Sequence, residues 1–388
     1  MVVGNEHGTT PNGANRPVAP APSPAAWRDA PESVSGPAEW SAQSAAGLVM
    51  TQSIQSVATT TNKAQLADRS LLRPIRTGFD SLDQWIGNGL RAGELLLLGG
   101  APGAGKTTFC LQMARNIAAS GQANILYACY EHPPEYILER LIVQETIDPT
   151  AVRPEGGVSL EALQGVIGEA LYLRPGAPPY ETMREHPIVG RSMTRVDRYA
   201  DRFHLVDNAP RNNSIEAIGS LVEAHRSRDM QPLVLFVDYL QKLEVEGGAD
   251  RHEDDRVTEV VQALKQIALE HNVAVVAIAA ADKAGIQSPR LRLSHFRGSS
   301  ALMYEADIAV IMNDKWQIID RDHLVFNQFK AEQHRDWIVC TIEKNRSGRN
   351  LVDLEFRKQF EYCCFNPHGA RVNEHLYQER IQGERSSS

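Results

Sequence analysis

The chain has 388 residues, a formal net charge of −8 and an apolar content ordinary for a globular protein. That length suits one large α/β domain with extras, or two small domains, and the acidic balance disfavours blanket coating of nucleic acid while leaving room for a local basic channel. No stretch reaches the ~18 apolar residues of a membrane span, no basic-then-apolar leader opens the chain, and the five cysteines show no C-x-x-C spacing. A cytoplasmic protein with no membrane partner is expected.

Residues 1 to about 60 are rich in Pro, Ala, Gly, Ser and Thr. Such a segment buries too little apolar surface to offset its ordering entropy, so it reads as a disordered tail with Trp27 and Trp40 as its large anchors. Residues 61–75 read as a helix-compatible linker. Asp80 or Ser81 can cap a short helix carrying Leu82 and Trp85, ended by Gly87 and Gly89. The run Leu95 to Leu98 reads as a strand buried on both faces. A glycine-rich turn follows, then a helix opening at Lys106, with Phe109, Met113, Ala114 and Ile117 on one face and a stop at Gly121. A strand from Ile125 to Tyr130 ends at Glu131, and Pro133 and Pro134 suit the first turn of the next helix.

Residues 147–200 read as an irregular surface insertion with a short helix near Leu160 to Leu171. Order returns with a strand Phe203 to Asp207. A helix follows from Ser214, where Asn213 and Glu216 stand at capping-box spacing. Further buried strands are expected over Leu233–Asp238, Val273–Ile278, Ile308–Met312 and Ile338–Glu343. An amphipathic helix carries Val257, Val260, Val261, Leu264, Ile267 and Ala268. Gly348 suits a hairpin turn into a return strand, Leu351 to Phe356, and the last ~20 residues read as frayed. Alternating buried strands and helices imply a mostly parallel α/β sheet with helices on both faces, whose ligands sit at the strand C-termini.

The chemistry gathers at those strand ends. The turn after Leu98 matches G-x-x-x-x-G-K-[ST] at Gly100, Gly105, Lys106 and Thr107. Small residues let backbone N–H groups close on the phosphates of a nucleotide, and the helix start adds unpaired donors. Gly100, Gly103, Ala104, Gly105, Lys106, Thr107 and Thr108 are therefore the expected ATP cradle. Thr107 and Asp238, which ends an apolar strand, are the expected Mg²⁺ ligands. Tyr239 stands where some ATPases carry the hydrolytic base, so Glu131, on a neighbouring strand end, is the candidate base. Lys344 and Arg346 lie two apart at a strand end and face one side, as an arginine finger requires.

Thr77-Gly78-Phe79-Asp80-Ser81-Leu82-Asp83, the phosphate loop, Glu131, Asp238-Tyr239-Leu240-Gln241 and Lys344-Asn345-Arg346-Ser347-Gly348 together resemble the C-terminal ATPase domain of DnaB-type replicative helicases, over about residues 75 to 365. Arg256 to Lys265 and Leu293 to Arg297 also look like segments of that family. The resemblance implies a RecA-like fold and a homo-oligomer, a hexameric ring with ATP between subunits. It implies Glu131 as base, and Lys344 and Arg346 acting on the neighbour's ATP. It also implies single-stranded DNA in the central channel, gripped by loops near 244–255 and 283–297, with Lys283, Arg290, Arg292 and Arg297 on phosphates.

The chain departs from the family at two places. A Pro- and Ala-rich tail stands where the family has a helical, primase-binding domain. Ala279-Ala280 stands where the family has Ser-Gln, a polar pair that reads the γ-phosphate and signals to the DNA loop. Alanine side chains cannot hydrogen-bond. Either another residue substitutes, or hydrolysis is weakly coupled to DNA movement. The loop before Arg256, with Glu253, Asp254 and Asp255, is acidic for a channel lining. The leading expectation is a DNA-translocating ring ATPase. An ATP-driven switch or scaffold on the same fold is the second, with a protein partner bound through the tail or the 147–200 segment. A strand-exchange recombinase is the third.

Overall fold

The computed structural model describes residues 53–67, 73–151, 154–207, 209, 212–245, 252–319, 334–374 and 376. The chain divides into two units, Met1–Ile54 and Gln55–Ser388. Residues 1–52 of the tail, with Trp27 and Trp40, and residues 375 and 377–388 lie outside the described residues. Within the C-terminal stretch expected to fray, Ala370 and Arg371 instead pair with Glu355 and Leu354 as an added strand.

One ten-stranded sheet dominates the second unit. Its strands are β1 (Leu95–Gly100), β2 (Asn124–Cys129), β3 (Phe203–Val206), β4 (Leu233–Asp238), β5 (Ala274–Ala280), β6 (Ile308–Asp314), β7 (Trp337–Asn345), β8 (Val352–Gln359), β9 (Cys364–Phe365) and β10 (Ala370–Arg371). The order is β10-β8-β7-β6-β1-β5-β4-β2-β3, with β9 added on β8. From β3 to β6 all pairs are parallel, and from β6 outward they are antiparallel. The central strands are buried throughout, which is why they read as unbroken apolar runs rather than alternations. Leu96 and Leu98 feed one core layer, and Leu95 and Leu97 feed the other, as the period of two dictates.

The helices are α1 (Ile54–Ala67), α2 (Asp80–Trp85), α3 (Lys106–Ser120), α4 (Pro134–Gln144), α5 (Leu160–Leu173), α6 (Pro179–Met183), α7 (Val189–Asp197), α8 (Ile215–Arg228), α9 (Glu253–Glu270), α10 (Lys283–Ile286), α11 (Ser299–Glu305) and α12 (Lys315–Ile318). Residues of α3, α4 and α7 build the first layer, and residues of α8, α9 and α11 the second. An aromatic group ties α3 to the antiparallel side of the sheet. Phe79 stacks on Phe109 at 4.0 Å, and Phe356 and Phe365 meet Phe109 edge-on at 5.5 Å.

Four local expectations differ from the fold. A helix, α1, begins at Ile54 within the stretch read as tail, and runs into the stretch read as linker. The 147–200 segment is largely helical, and Leu163, Met183, Val189, Met193 and Val196 lie in the core. Ser214, not Asn213, caps α8, accepting from the Ala217 N–H at 3.1 Å. Neither Asp80 nor Ser81 caps α2. Buried Asp83 instead turns back and accepts the N–H and hydroxyl of Thr77 at 2.9 and 2.8 Å, which fixes the approach to β1.

Candidate functional site

β1 ends at Gly100 and the chain turns through Gly103 and Gly105, both at positive φ, into α3. Gly105 is the left-handed residue ahead of the helix, at φ 89°. A Cβ there would lie 2.7 Å from the Phe360 ring, so the position tolerates glycine alone. The first N–H groups of α3 point into the turn with no side-chain cap to satisfy them, which is the arrangement that receives phosphates. Lys106 is half-buried and donates to the Ala101 carbonyl at 3.0 Å. Burial pulls its ammonium below the usual range, and the negative charges of Asp238 and Glu131 pull it back up.

Asp238 is the last residue of β4 and is buried. Its neighbour in the ladder is Cys129 of β2, and the Tyr130 N–H donates to the Asp238 carbonyl at 2.8 Å. That pairing puts Glu131 beside Asp238 across two strand ends. Burial pushes the Asp238 carboxyl up to about 6, the Glu131 charge adds to the rise, and a hydrogen bond from the Thr107 hydroxyl opposes it. Glu131 is exposed at the mouth of the cleft. Lys106, Thr107, Glu131 and Asp238 therefore face one cleft. A hydroxyl and a carboxylate from two elements suit a hard divalent cation that keeps waters and phosphate oxygens as its other ligands. Among the described residues no larger metal-ligating cluster exists.

Lys344 and Arg346 stand elsewhere. β7 runs antiparallel to β6, so its end meets the start of β6. Lys344 donates to the Met303 and Tyr304 carbonyls, and Arg346 to the Tyr304 carbonyl and to Asp307 at 3.1 Å. Asp307 in turn accepts the Leu95 N–H at 2.8 Å and Lys265 at 2.7 Å. Both cations thus share one face at the start of β1, while the phosphate loop leaves from its end. The six residues of β1, a rise of about 17 Å, separate the two. Neither cation reaches the phosphate loop of its own chain.

The four cations expected on DNA behave unequally. Arg290 is 3% exposed and bonds Asp353 of β8 and the Thr341 hydroxyl of β7. It clamps the loop to the sheet, and the expectation of a phosphate contact there is corrected. Arg292 pairs with Glu343 at 3.0 Å, and Arg297 pairs with Glu253. Lys283 is exposed. The acidic run Glu253, Asp254 and Asp255 forms the first turn of α9, where carboxylates suit the helix dipole.

One residue at the site escaped the sequence reading. Phe360 follows β8, is 41% exposed, and its ring covers Gly105 at the phosphate loop. Its ring also meets Phe365 edge-on at 5.3 Å, which anchors it beside the phosphate loop. The signal was the enforced glycine, which only the fold pairs with an aromatic 255 positions later.

Fold and cleft together define a RecA-like, phosphate-loop nucleotide-binding domain. A model of the family described as DnaB-like helicase C terminal domain matches residues 74–167 and 182–364, and the chain belongs to that family. Only residues 168–181 of the 147–200 segment fall between the matched stretches. The replicative DNA helicase DnaB of Geobacillus stearothermophilus is 24% identical over 290 residues, covering 74% of this chain and 55% of that protein. A probable replicative DNA helicase of Trieres chinensis is 23% identical over 305 residues, covering 76% and 59%. The chain thus spans little more than half the length of these relatives. Among solved structures, an isolated ATPase domain superposes with a TM-score of 0.62 at 19% identity, covering 81% of this chain and 99% of that one. A DnaB-like replicative helicase, studied with its primase interactions, gives 0.60 at 19% identity, covering 81% and 68%. At these identities the superpositions speak for the fold. No helix among the described residues is long and apolar enough to cross a membrane.

Proposed function

We propose that the chain is an ATP-hydrolysing, ring-forming DnaB-like helicase or translocase that acts on single-stranded DNA in the cytoplasm. The reading rests on one observation above others: the finger cations and the phosphate loop lie at opposite ends of β1. A cation that cannot reach its own nucleotide serves the nucleotide of the next copy. Closed repetition of that contact makes a ring, and the family likeness favours a hexamer. Lys106 neutralises the β- and γ-phosphates, and backbone N–H groups of the turn hold them. Thr107 and Asp238 would hold Mg²⁺, which supplies further charge neutralisation on the phosphates when bound. Glu131 orients the attacking water and takes its proton. Lys344 and Arg346 of the neighbouring copy stabilise the charge that develops on transfer. A ring with staggered hydrolysis moves its loops along a strand in its channel.

The test is complementation. Lys106→Ala and Arg346→Ala are each expected to lower ATP hydrolysis by roughly 10²–10³-fold. Mixed before assembly, they form some junctions that pair an intact phosphate loop with an intact finger, and activity returns in part. Mixed rings confirmed by native mass spectrometry, with no recovered hydrolysis, would sink the between-subunit reading. Unwinding of a forked duplex by the wild-type chain tests the helicase half.

A further inference from the structure

Asp238 is followed by a short 3-10 turn, Leu240–Lys242. Leu240 is buried beneath it, and the Lys242 and Leu243 N–H groups close on Tyr239 and Leu240. The turn therefore aims Gln241 from a fixed base. The paired ladder between β4 and β5 ends at Val237 and Ala277. Beyond that point the Gln241 side chain takes over. Its amide accepts the Ala280 N–H at 3.1 Å and donates to the Ala280 carbonyl at 3.1 Å. A side-chain amide here mimics a strand partner and extends the sheet past its last backbone pair.

What Ala280 leads into gives the contact its meaning. Ala281 pairs with Phe296, and the Asp282 N–H donates to the His295 carbonyl at 3.1 Å, closing the base of the loop 281–297. The Phe296 ring fills the space over Gly99, where a Cβ would lie 2.4 Å from it. Gly99 and Gly100 pair with Ala279 and Ala280 in the β1–β5 register. The loop base is thus held on one side by the strand that opens the phosphate loop, and on the other by a turn three residues beyond Asp238. Neither Ala279 nor Ala280 has a polar side chain, so the grip falls on the backbone.

We propose that Gln241 is a positioning residue that carries the state of the nucleotide cleft, through its two-point clamp on Ala280, to the loop 281–297. A shift of Asp238 and its turn on binding a magnesium nucleotide moves Gln241, and Gln241 moves the loop base with it. The assignment rests on the ATPase reading above and names the residue that couples its two halves.

The experiment measures amide hydrogen exchange across 281–297 in the full chain, with and without magnesium adenylyl imidodiphosphate. In the wild-type chain the nucleotide is expected to change exchange in these peptides by about fivefold or more. Gln241→Met keeps the length of the side chain and loses both hydrogen bonds. Gln241→Glu keeps the shape and the acceptor, but sets a carboxylate against the Ala280 carbonyl. Both are expected to bind the nucleotide with an affinity within about twofold of wild type, to stay folded while melting a few degrees lower, and to show no exchange change in the loop. A loop that still responds in a nucleotide-bound variant overturns the clamp, as does a wild-type loop that ignores the nucleotide. Labelled oligothymidylate separates this claim from its parent. If the wild-type loop responds but the strand does not bind, the clamp stands and the DNA reading falls. If the strand binds and stimulates hydrolysis equally in wild type and variants, the DNA reading stands and the clamp falls.

Discussion

The cations of the phosphate loop and those of the loop before β6 are built on opposite plans. Lys106 sits in a cleft, its charge disfavoured by burial and answered by a backbone carbonyl and carboxylates that do not close on it as a pair. Arg290, Arg292 and Arg297 are each closed on a carboxylate of their own chain. The first arrangement leaves positive charge to be satisfied by an incoming anion. The second has already satisfied it. A positive residue in a family-like loop is thus a poor guide to phosphate contact unless its carboxylate partners are known.

The largest effect that would break this contrast falls on Arg290. Its partner Asp353 is only partly exposed, and the Thr341 hydroxyl donates to the same carboxylate oxygen at 2.7 Å. Arg290→Ala strands that carboxylate and is expected to lower the unfolding free energy by about 3 kcal/mol. Arg346→Ala, whose guanidinium is half exposed, should leave stability nearly unchanged while hydrolysis collapses. Urea unfolding of both variants decides the matter. Equal stability for Arg290→Ala and wild type would return Arg290 to the surface and to DNA.

A second prediction sharpens the cleft side. Burial raises the Asp238 carboxyl to about 6, from an ordinary value near 4. The folded state therefore holds that proton more tightly than the unfolded chain does. Stability falls as pH climbs between those two values and stays low above the higher one. Asp238→Asn removes the penalty. In nucleotide-free buffer with EDTA it is expected to gain about 2 kcal/mol at pH 8 and almost nothing below pH 4. Thermal melts at both ends of that range measure it, and magnesium-dependent hydrolysis should vanish in the same variant. A gain independent of pH would mean that packing, not charge, sets the difference.

How far the sequence could be read follows the same division. The phosphate loop is local: glycines, lysine and threonine act within eight positions of one another, Gly100 to Thr107, between a buried strand and a helix. The parallel core was legible because strands buried on both faces are apolar without interruption. Segment α7 was not, because Val189, Met193 and Val196 hold the helical spacing among arginines and polar residues that dilute it. Arg290 was misread because its partner Asp353 lies 63 positions away, and no pattern in one loop reports it. Gln241 stood in a recognised motif, yet its grip on Ala280, 39 positions on, exists only once β4 and β5 lie side by side. Local chemistry was visible and cross-strand pairing was not.

The smallest effect concerns Lys283, the exposed cation of the four. If the loop 283–297 touches a single strand, Lys283→Ala removes one phosphate contact. The logarithm of affinity plotted against the logarithm of salt should then lose about 0.7 of its slope, whatever the base sequence. Arg297→Ala makes the informative comparison. Its guanidinium already neutralises Glu253, so its loss exposes a carboxylate to the strand as well as removing a cation. Binding should therefore weaken more than for Lys283→Ala at low salt, with the excess shrinking as salt screens the Glu253 repulsion. Fluorescence anisotropy titrations of oligothymidylate across a salt series distinguish the two. Identical slopes for both variants would mean that the ion pair opens when DNA binds, and that the arginine was available after all.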